Sequence, residues 1–298
     1  MQTGIFHSAW ISSDATSHSA RASSAIFPWW SFTKPVLSIC ALRLVEDHRL
    51  SLDELRPGKP FSLRQLLRHQ AGLADYGALT AYHEAVRRGD VPWSREYLLE
   101  LARADRLLLQ PGTGWAYSNI GYMFVREAIE EAAALPLQTA LRELVLEPLR
   151  LETVRLATHK TDFEEVFWPE LRGYDPGWVY HGCIIGTPID AARLLHALFQ
   201  GQLLKAKNLR MMLDRHELGG VLPGRPWTDC GYGLGLMIGK MGDAGRALGH
   251  SGGGPGCVNA VYHFPDRKEP ITVASFTGGL EEGPAEFEAK AIALGAAP

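Results

Sequence analysis

Ser31-Phe32-Thr33-Lys34 places a hydroxyl and an amine three residues apart. On a helix such residues share a face, which makes them neighbours. A serine hydroxyl is a weak nucleophile until a base stands within hydrogen-bond reach. A lysine can be that base when its surroundings lower its pKa, and a helix N-terminus adds N–H groups suited to a developing oxyanion. Pro35 complicates the helix, because it disfavours helical geometry at Lys34 yet is tolerated in a first turn. A second segment, Tyr117-Ser118-Asn119, follows a Pro-Gly turn and precedes a helical pattern. There Tyr117 can relay a proton and Asn119 can orient a carbonyl or amide. Read as plain structure, Asn119 would cap the helix and Tyr117 would pack beside Trp115. A third segment runs Gly249-His250-Ser251-Gly252-Gly253-Gly254 between two strand-like stretches. Its glycines would let a substrate approach a strand edge; its plain reading is a hairpin carrying a surface histidine.

Other chemistries fit less well. Gly249 to Gly253 also matches Gly-x-Ser-x-Gly, but that elbow needs a helix after it, and the following GGPGCVNAVYHF cannot start one. His83-Glu84 and His216-Glu217 begin like a zinc motif, yet Arg87 and Gly220 stand where its second histidine belongs. GYGLGLMIG lacks the glycine spacing of a dinucleotide fingerprint and lies inside a strand-like stretch. Cys40, Cys183, Cys230 and Cys257 are far apart, so they form no CxxC pair and read as reduced, mostly buried thiols. No metal or other cofactor is called for.

The elements that must hold these segments follow from hydrophobic spacing. Val36, Leu37, Cys40, Leu42, Leu44 and Val45 supply apolar positions for a buried helix over 33–47. Helical spacing recurs at 62–70 and 94–107. It returns as a helix pair within 119–147, the first member ended by Pro136. It appears again at 188–215, with Thr187 as cap and Pro188 in the first turn, and at 284–294. Residues 4–12 and 24–30 lean towards strand. After Cys230, the stretches 231–240, 246–252, 257–264 and 271–277 read as an antiparallel meander. Strands at both ends with helices between predict an α+β fold, one sheet built from both chain ends. The expected division is a discontinuous sheet domain, 1–50 and 180–298, and a mainly helical domain, 51–179.

Composition bounds the partners. Thirty basic against 33 acidic side chains give a net charge of −3, too little positive charge to hold a nucleic-acid backbone. No run of about 18 apolar residues is present, so no membrane span is expected. The N-terminal stretch lacks the basic start and apolar run of a secretory signal, which predicts a cytoplasmic location. Oligomeric state is not readable.

Taken together and in this order, Ser-x-x-Lys, Tyr-Ser-Asn and His-Ser-Gly resemble the serine β-lactamase and penicillin-recognising enzyme superfamily, whose related triplet is Ser-x-x-Lys, Ser-Asp-Asn and Lys-Thr-Gly. The tyrosine version is similar to the class C branch, with its DD-carboxypeptidases, esterases and amidases. LSLDEL, LRQLLRHQAGLADY, LQPGTGWAYSNIGY and LEPLRLETV are similar to recurrent segments of that branch, and the resemblance covers about residues 25–275. It implies an antiparallel sheet flanked by helices, with a helical domain beside it. It implies Ser31 as acyl-accepting nucleophile, with Lys34 and Tyr117 as base and proton relay. Asn119 would contact the acyl side of the substrate. His250 stands where many relatives carry the lysine of Lys-Thr-Gly, and Ser251, Gly252 and Gly253 complete that substrate-facing strand. The backbone N–H groups of Ser31 and Gly253 would form the oxyanion hole. Trp178, Tyr180 and His181 fall in a substrate-facing stretch, where an aromatic pocket would suit an apolar acyl or aryl group. His250 titrates near neutrality, unlike lysine, which weakens the case for a carboxylate-bearing substrate. The expectation is therefore a serine hydrolase acting on a small ester or amide, with esterase or amidase favoured. The alternatives are a β-lactamase, a D-alanyl-D-alanine carboxypeptidase, and an inactive binding module of the same fold.

Overall fold

A computed structural model describes residues 4–21 and 24–296; the outermost residues of the expected domain limits, 1–3 and 297–298, lie outside the described residues. The chain opens with strand β1 (Phe6–Ile11), edge strand β2 (Ser17–Ala20) and the two-residue strand β3 (Phe27–Pro28). A 3-10 turn at Trp30–Phe32 runs into helix α1 (Thr33–Glu46). Helices α2 (Leu63–Leu67), α3 (Thr80–Arg88), α4 (Arg95–Leu101), α5 (Asn119–Ala133) and α6 (Leu137–Leu141) follow, then strands β4 (Arg155–Ala157) and β5 (Cys183–Gly186). Helices α7 (Pro188–Phe199) and α8 (Ala206–Leu213) lead into strands β6 (His216–Gly219), β7 (Asp229–Tyr232) and β8 (Met237–Lys240). Strands β9 (Arg246–Gly254), β10 (Cys257–Phe264) and β11 (Ile271–Gly278) and helix α9 (Gly283–Ala293) complete the described chain.

The main sheet has the order β2-β1-β11-β10-β9-β8-β7-β6, with every neighbouring pair antiparallel. Strand β1 therefore lies beside β11, and the two ends of the chain meet in one α+β sheet. Strand β10 is buried along its whole length because both faces of the sheet are covered. Val258, Ala260, Tyr262 and Phe264 pack with Ala285 and Ala289 of α9, while Cys257 and Val261 face the larger core that holds α1 and α7. Helix α1 runs through that core and is buried on nearly all sides, so its apolar residues form no single stripe. A small sheet, β3-β5-β4, stands beside it. Residues 51–179 contribute helices and turns plus β4, and one continuous apolar core joins them to the main sheet.

Capping chemistry starts the helices that matter most here. Ser118 caps α5 by accepting from Gly121 N at 3.0 Å, while its own hydroxyl donates to the Ala74 carbonyl at 2.7 Å. Thr187 caps α7, accepting from Asp190 N at 3.2 Å, with Pro188 in the first turn as expected. Pro35 falls in the first turn of α1, where its missing N–H has no intrahelical partner to lose.

The structure corrects several expected boundaries. The 62–70 and 94–107 helices shorten to α2 and α4, and Arg103 after α4 takes a left-handed φ of 48°. Pro136 does not end α5; Ala134, with φ 52°, ends it, and Pro136 opens α6. The 231–240 stretch is two strands, β7 and β8, turned by Gly235 at φ 81°. Strands β2 and β6 are short and polar at the sheet edges, so they carry no periodic apolar signal.

Candidate active site

Trp30 adopts a left-handed φ of 43° immediately before Ser31, a conformation that costs energy for a bulky side chain. Its ring holds the conformation in place. The indole N–H donates to Cys257 Sγ at 3.1 Å, and the ring meets Phe163 and Tyr174 with centroids 5.9 and 5.5 Å away. The flanking backbone is clamped as well. Trp29 N donates to the Ile184 carbonyl of β5, and Asn259 Nδ2 of β10 donates to the Trp29 carbonyl at 3.0 Å. Ser31 thus sits on a turn braced by both sheets.

Two side chains reach its hydroxyl, and two more hold them in place. Ser31 Oγ shares a hydrogen bond of 2.8 Å with Tyr117 OH. Lys34 Nζ, in the first turn of α1, donates to Ser31 Oγ at 2.9 Å and to Asn119 Oδ1 at 2.7 Å. Asn119 is itself oriented by Asp75, which accepts from its backbone N at 2.9 Å and its Nδ2 at 3.3 Å. The Lys34 amine lies over the Tyr117 ring, 4.9 Å from its centroid. His69 packs on the same ring at 4.4 Å and accepts from Ser118 N through Nδ1.

Burial sets the protonation states. The Lys34 side chain is fully buried, and desolvation lowers its pKa from 10.5 to about 7, with Asp75 pulling it back up. Burial raises the Tyr117 hydroxyl well above its ordinary range, a rise that the Ser31 hydrogen bond tempers. His69 and His181 are pushed well below 6.5 and His250 to about 3, mainly by burial and then by Lys34. An amine of lowered pKa therefore stands between a serine hydroxyl and the His181 imidazole.

Ser31 opens onto a cavity of about 860 Å³. Asn119, His181, Gly253, Tyr76, Tyr82 and Tyr174 are among its walls, and Glu170, Glu282, Arg87 and Arg172 bring charge to it. Strand β9 passes close by: a Cβ on Gly252 would stand 2.8 Å from Ser31 N and 2.7 Å from the Trp29 carbonyl. The structure thus brings Ser31, Lys34, Tyr117, Asn119, His181, Gly252 and Gly253 together. It turns Ser251 to the opposite face of the sheet, where its hydroxyl donates to the buried Glu286 of α9 at 2.5 Å. That corrects the expectation of a Ser251 side chain at the substrate, because side chains alternate along a strand. His250 points to the active-site side but is buried beneath the cavity, bonded through Nε2 to Tyr232 OH at 2.9 Å. Trp178 and Tyr180 stand behind the wall, Trp178 donating to the Asp90 carbonyl and Tyr180 to the Trp93 carbonyl. Asp75, His69, Asn259 and Glu282 were not singled out from sequence. Asn259 has a visible signal, a lone amide in an apolar strand; Glu282 has none.

Among the described residues, no three His, Cys, Asp or Glu side chains are grouped to hold a metal ion, and no helix is long and apolar enough to cross a membrane. All four cysteines are free and buried.

Comparison with known proteins gives a consistent set of likenesses. The family model described as Beta-lactamase matches residues 5–297. A D-aminopeptidase of Brucella anthropi is 27% identical over 98% of this chain and 57% of its own length. Penicillin-binding protein 4* of Bacillus subtilis is 20% identical over 91% of this chain and 65% of its own. The chain thus spans 57% to 65% of the length of these relatives. Among solved structures, the D-amino acid amidase of Ochrobactrum anthropi SV3, complexed with L-phenylalanine amide, superposes with a TM-score of 0.82 at 21% identity, covering 98% of this chain and 92% of that one.

Proposed function

The chain belongs to the beta-lactamase family, and from that premise we propose that it is a serine hydrolase cleaving a small amide or ester through an acyl-enzyme on Ser31. The observation that carries this reading is the Ser31 hydroxyl within 2.9 Å of a buried amine and 2.8 Å of a half-buried phenol, at the wall of a cavity. Neutral Lys34 takes the Ser31 proton as Oγ bonds to the substrate carbonyl carbon. The backbone N–H groups of Ser31 and Gly253 receive the oxyanion. As the bond to the leaving group breaks, the proton held by Lys34 reaches that group through Tyr117, whose raised pKa keeps it a phenol that passes protons on rather than a standing phenolate. Water then adds to the acyl carbon by the same relay, and Ser31 leaves with its proton restored.

Charge narrows the substrate. Glu282 lines the same cavity as Ser31 and Gly253, its carboxylate oxygen 3.3 Å from where a Cβ on Gly253 would be. Its nearest cation, Arg225, is 3.9 Å away and binds Glu286 more closely at 2.7 Å. A carboxylate on the wall of the cavity favours a substrate that brings a positive group. Burial holds His250 far below its ordinary pKa, and Arg246 at the far end of β9 is paired with Asp266, so the active-site end of the strand offers no cation to a substrate carboxylate. Both features support an amide or ester carrying an ammonium group, in keeping with the D-aminopeptidase and D-amino acid amidase names among the matches. Arg87 and Arg172 line the cavity from other segments and favour, as the second reading, a carboxylate-bearing substrate such as a β-lactam or D-alanyl peptide.

The test compares D- and L-amino acid amides, their N-acetyl derivatives, p-nitrophenyl esters and nitrocefin. Free amino acid amides should turn over faster than the N-acetyl forms, and Ser31→Ala should abolish turnover and fluorophosphonate labelling alike. Preference for nitrocefin would move the reading to the second substrate class. Equal labelling of wild type and Ser31→Ala would overturn the nucleophile, and no turnover by wild type of any substrate would favour a binding module.

A further inference from the structure

We propose that His181 is a positioning residue for Lys34, accepting a hydrogen bond at Nε2 so that the lysine lone pair turns towards Ser31. The role rests on reading Lys34 as the base. His181 follows the turn at Pro176–Trp178 and precedes β5; its ring is buried, and Nε2 lies 3.4 Å from Lys34 Nζ.

The argument is an accounting of protons around one nitrogen. As an ammonium, Lys34 has three donors, and three acceptors surround it: Ser31 Oγ, Asn119 Oδ1 and His181 Nε2. Asn119 must present its oxygen, because its Nδ2 donates to Asp75. As a neutral amine, Lys34 keeps two donors and a lone pair. With Asn119 and His181 taking the donors, the lone pair falls on Ser31 Oγ, the direction in which the proton must be abstracted. Without an acceptor at His181, one donor would return to Ser31 Oγ and the lone pair would point elsewhere. A His181 carrying its proton on Nε2 would instead oppose the ammonium formed in each catalytic cycle. The acceptor role leaves the buried Nδ1–H without a protein partner among the described residues.

The charged and titratable groups around the pair come from every neighbouring element. They are Asp75 before α3, Tyr117 just before α5, Tyr122 and Arg126 within it, His69 after α2 and His250 on β9. None but His181 offers Lys34 an acceptor opposite Ser31 and Asn119 among the hydrogen bonds described for it.

Two substitutions test the role, with thermal melting to follow folding. His181→Leu removes the acceptor and should lower kcat by about 10- to 100-fold with KM within about twofold, the usual scale for a misdirected reacting group. It also removes a group that favours the ammonium and deepens burial, so the acid limb of the kcat/KM profile should move to lower pH. His181→Gln keeps an acceptor at the same reach and should stay within about fivefold of wild type with its acid limb unmoved. A residue that only filled space would lose activity in both variants without shifting the limb. If His181→Leu melts before assay, His181→Asn replaces it; it is polar but one methylene too short, and should be as slow as expected for Leu. Wild-type kcat in Leu or Asn, or equal damage in Gln and Leu, would overturn the positioning role. Full turnover in Ser31→Ala would instead remove the acyl-enzyme reading, and the role with it, so the two failures are distinct.

Discussion

Burial holds the Lys34 amine at about 7 while it pushes the Tyr117 phenol upwards, and the two shifts divide the labour between them. A lowered lysine is a usable base near neutral pH; a raised phenol stays protonated there and relays. The sign of the pH dependence follows. Only the neutral amine can accept the Ser31 proton, so activity should fall below about pH 7, tenfold per unit, and hold level above it until the phenol ionises. A kcat/KM profile with one acid limb near 7 is expected; a limb near 4 to 5 would assign the base to a carboxylate. At this scale the sequence was informative about residue types. Ser31, Lys34, Tyr117 and Asn119 stood out by spacing, and the structure brings their polar atoms together. Asp75 orients Asn119 from 44 positions away, and no local pattern announces a partner at that separation.

Strand β9 is the element that sets the shape of the site. Its register against β10 pairs Gly252 with Asn259, the residue that also holds the Trp29 carbonyl. Alternation then sends His250 and Gly252 towards α1 and Ser251 towards α9. On the α9 side, Glu286 is wholly buried and accepts from Ser251, Trp227, Tyr262 and Arg225, so its charge is paired and its oxygens are satisfied. The strand is thus fixed from behind while its glycines let the nucleophile turn approach from the front. A methyl group at Gly252 would meet backbone atoms, which cannot swing aside as a side chain can. Gly252→Ala should therefore push Ser31 out of line and lower kcat by roughly 100-fold, with a stability loss of about 1–3 kcal/mol. Wild-type kcat in that variant would show that the approach is looser than the distances imply. The sequence marked this stretch as Gly-rich and exposed its likeness to a family strand, but the alternation of faces needed the pairing with β10.

Across the whole molecule, buried neutral histidines dominate the response to acid. His250 is lowered to about 3, His263 to about 4, and His69 and His181 well below 6.5, each mainly by burial. In the unfolded chain these groups bind protons from about pH 6.5 downwards, whereas the folded chain resists until far lower. The unfolded state then holds more protons, so the histidine contribution to stability is complete above about 6.5 and is lost as the pH drops. Lys34 acts in the same sense between about 7 and 10.5, adding stability as the pH rises. Urea midpoints should be lower at pH 5 than at pH 7.5 with an unchanged slope; a flat or rising midpoint would contradict this account. At the same scale the order of strands and helices was legible, because apolar periodicity and caps such as Thr187 are local properties of the chain. So were the residue types able to carry the chemistry and the near-neutral charge that speaks against a polyanion. What only the tertiary structure decided were the facings: which side of β9 meets Ser31, that His250 is sealed beneath the cavity, that Trp178 and Tyr180 stand behind its wall, and that Glu282 stands beside Gly253. Those depend on pairings between segments up to 272 positions apart, as at Ile5 and Thr277, and a pKa near 7 at Lys34 depends on the water such packing removes.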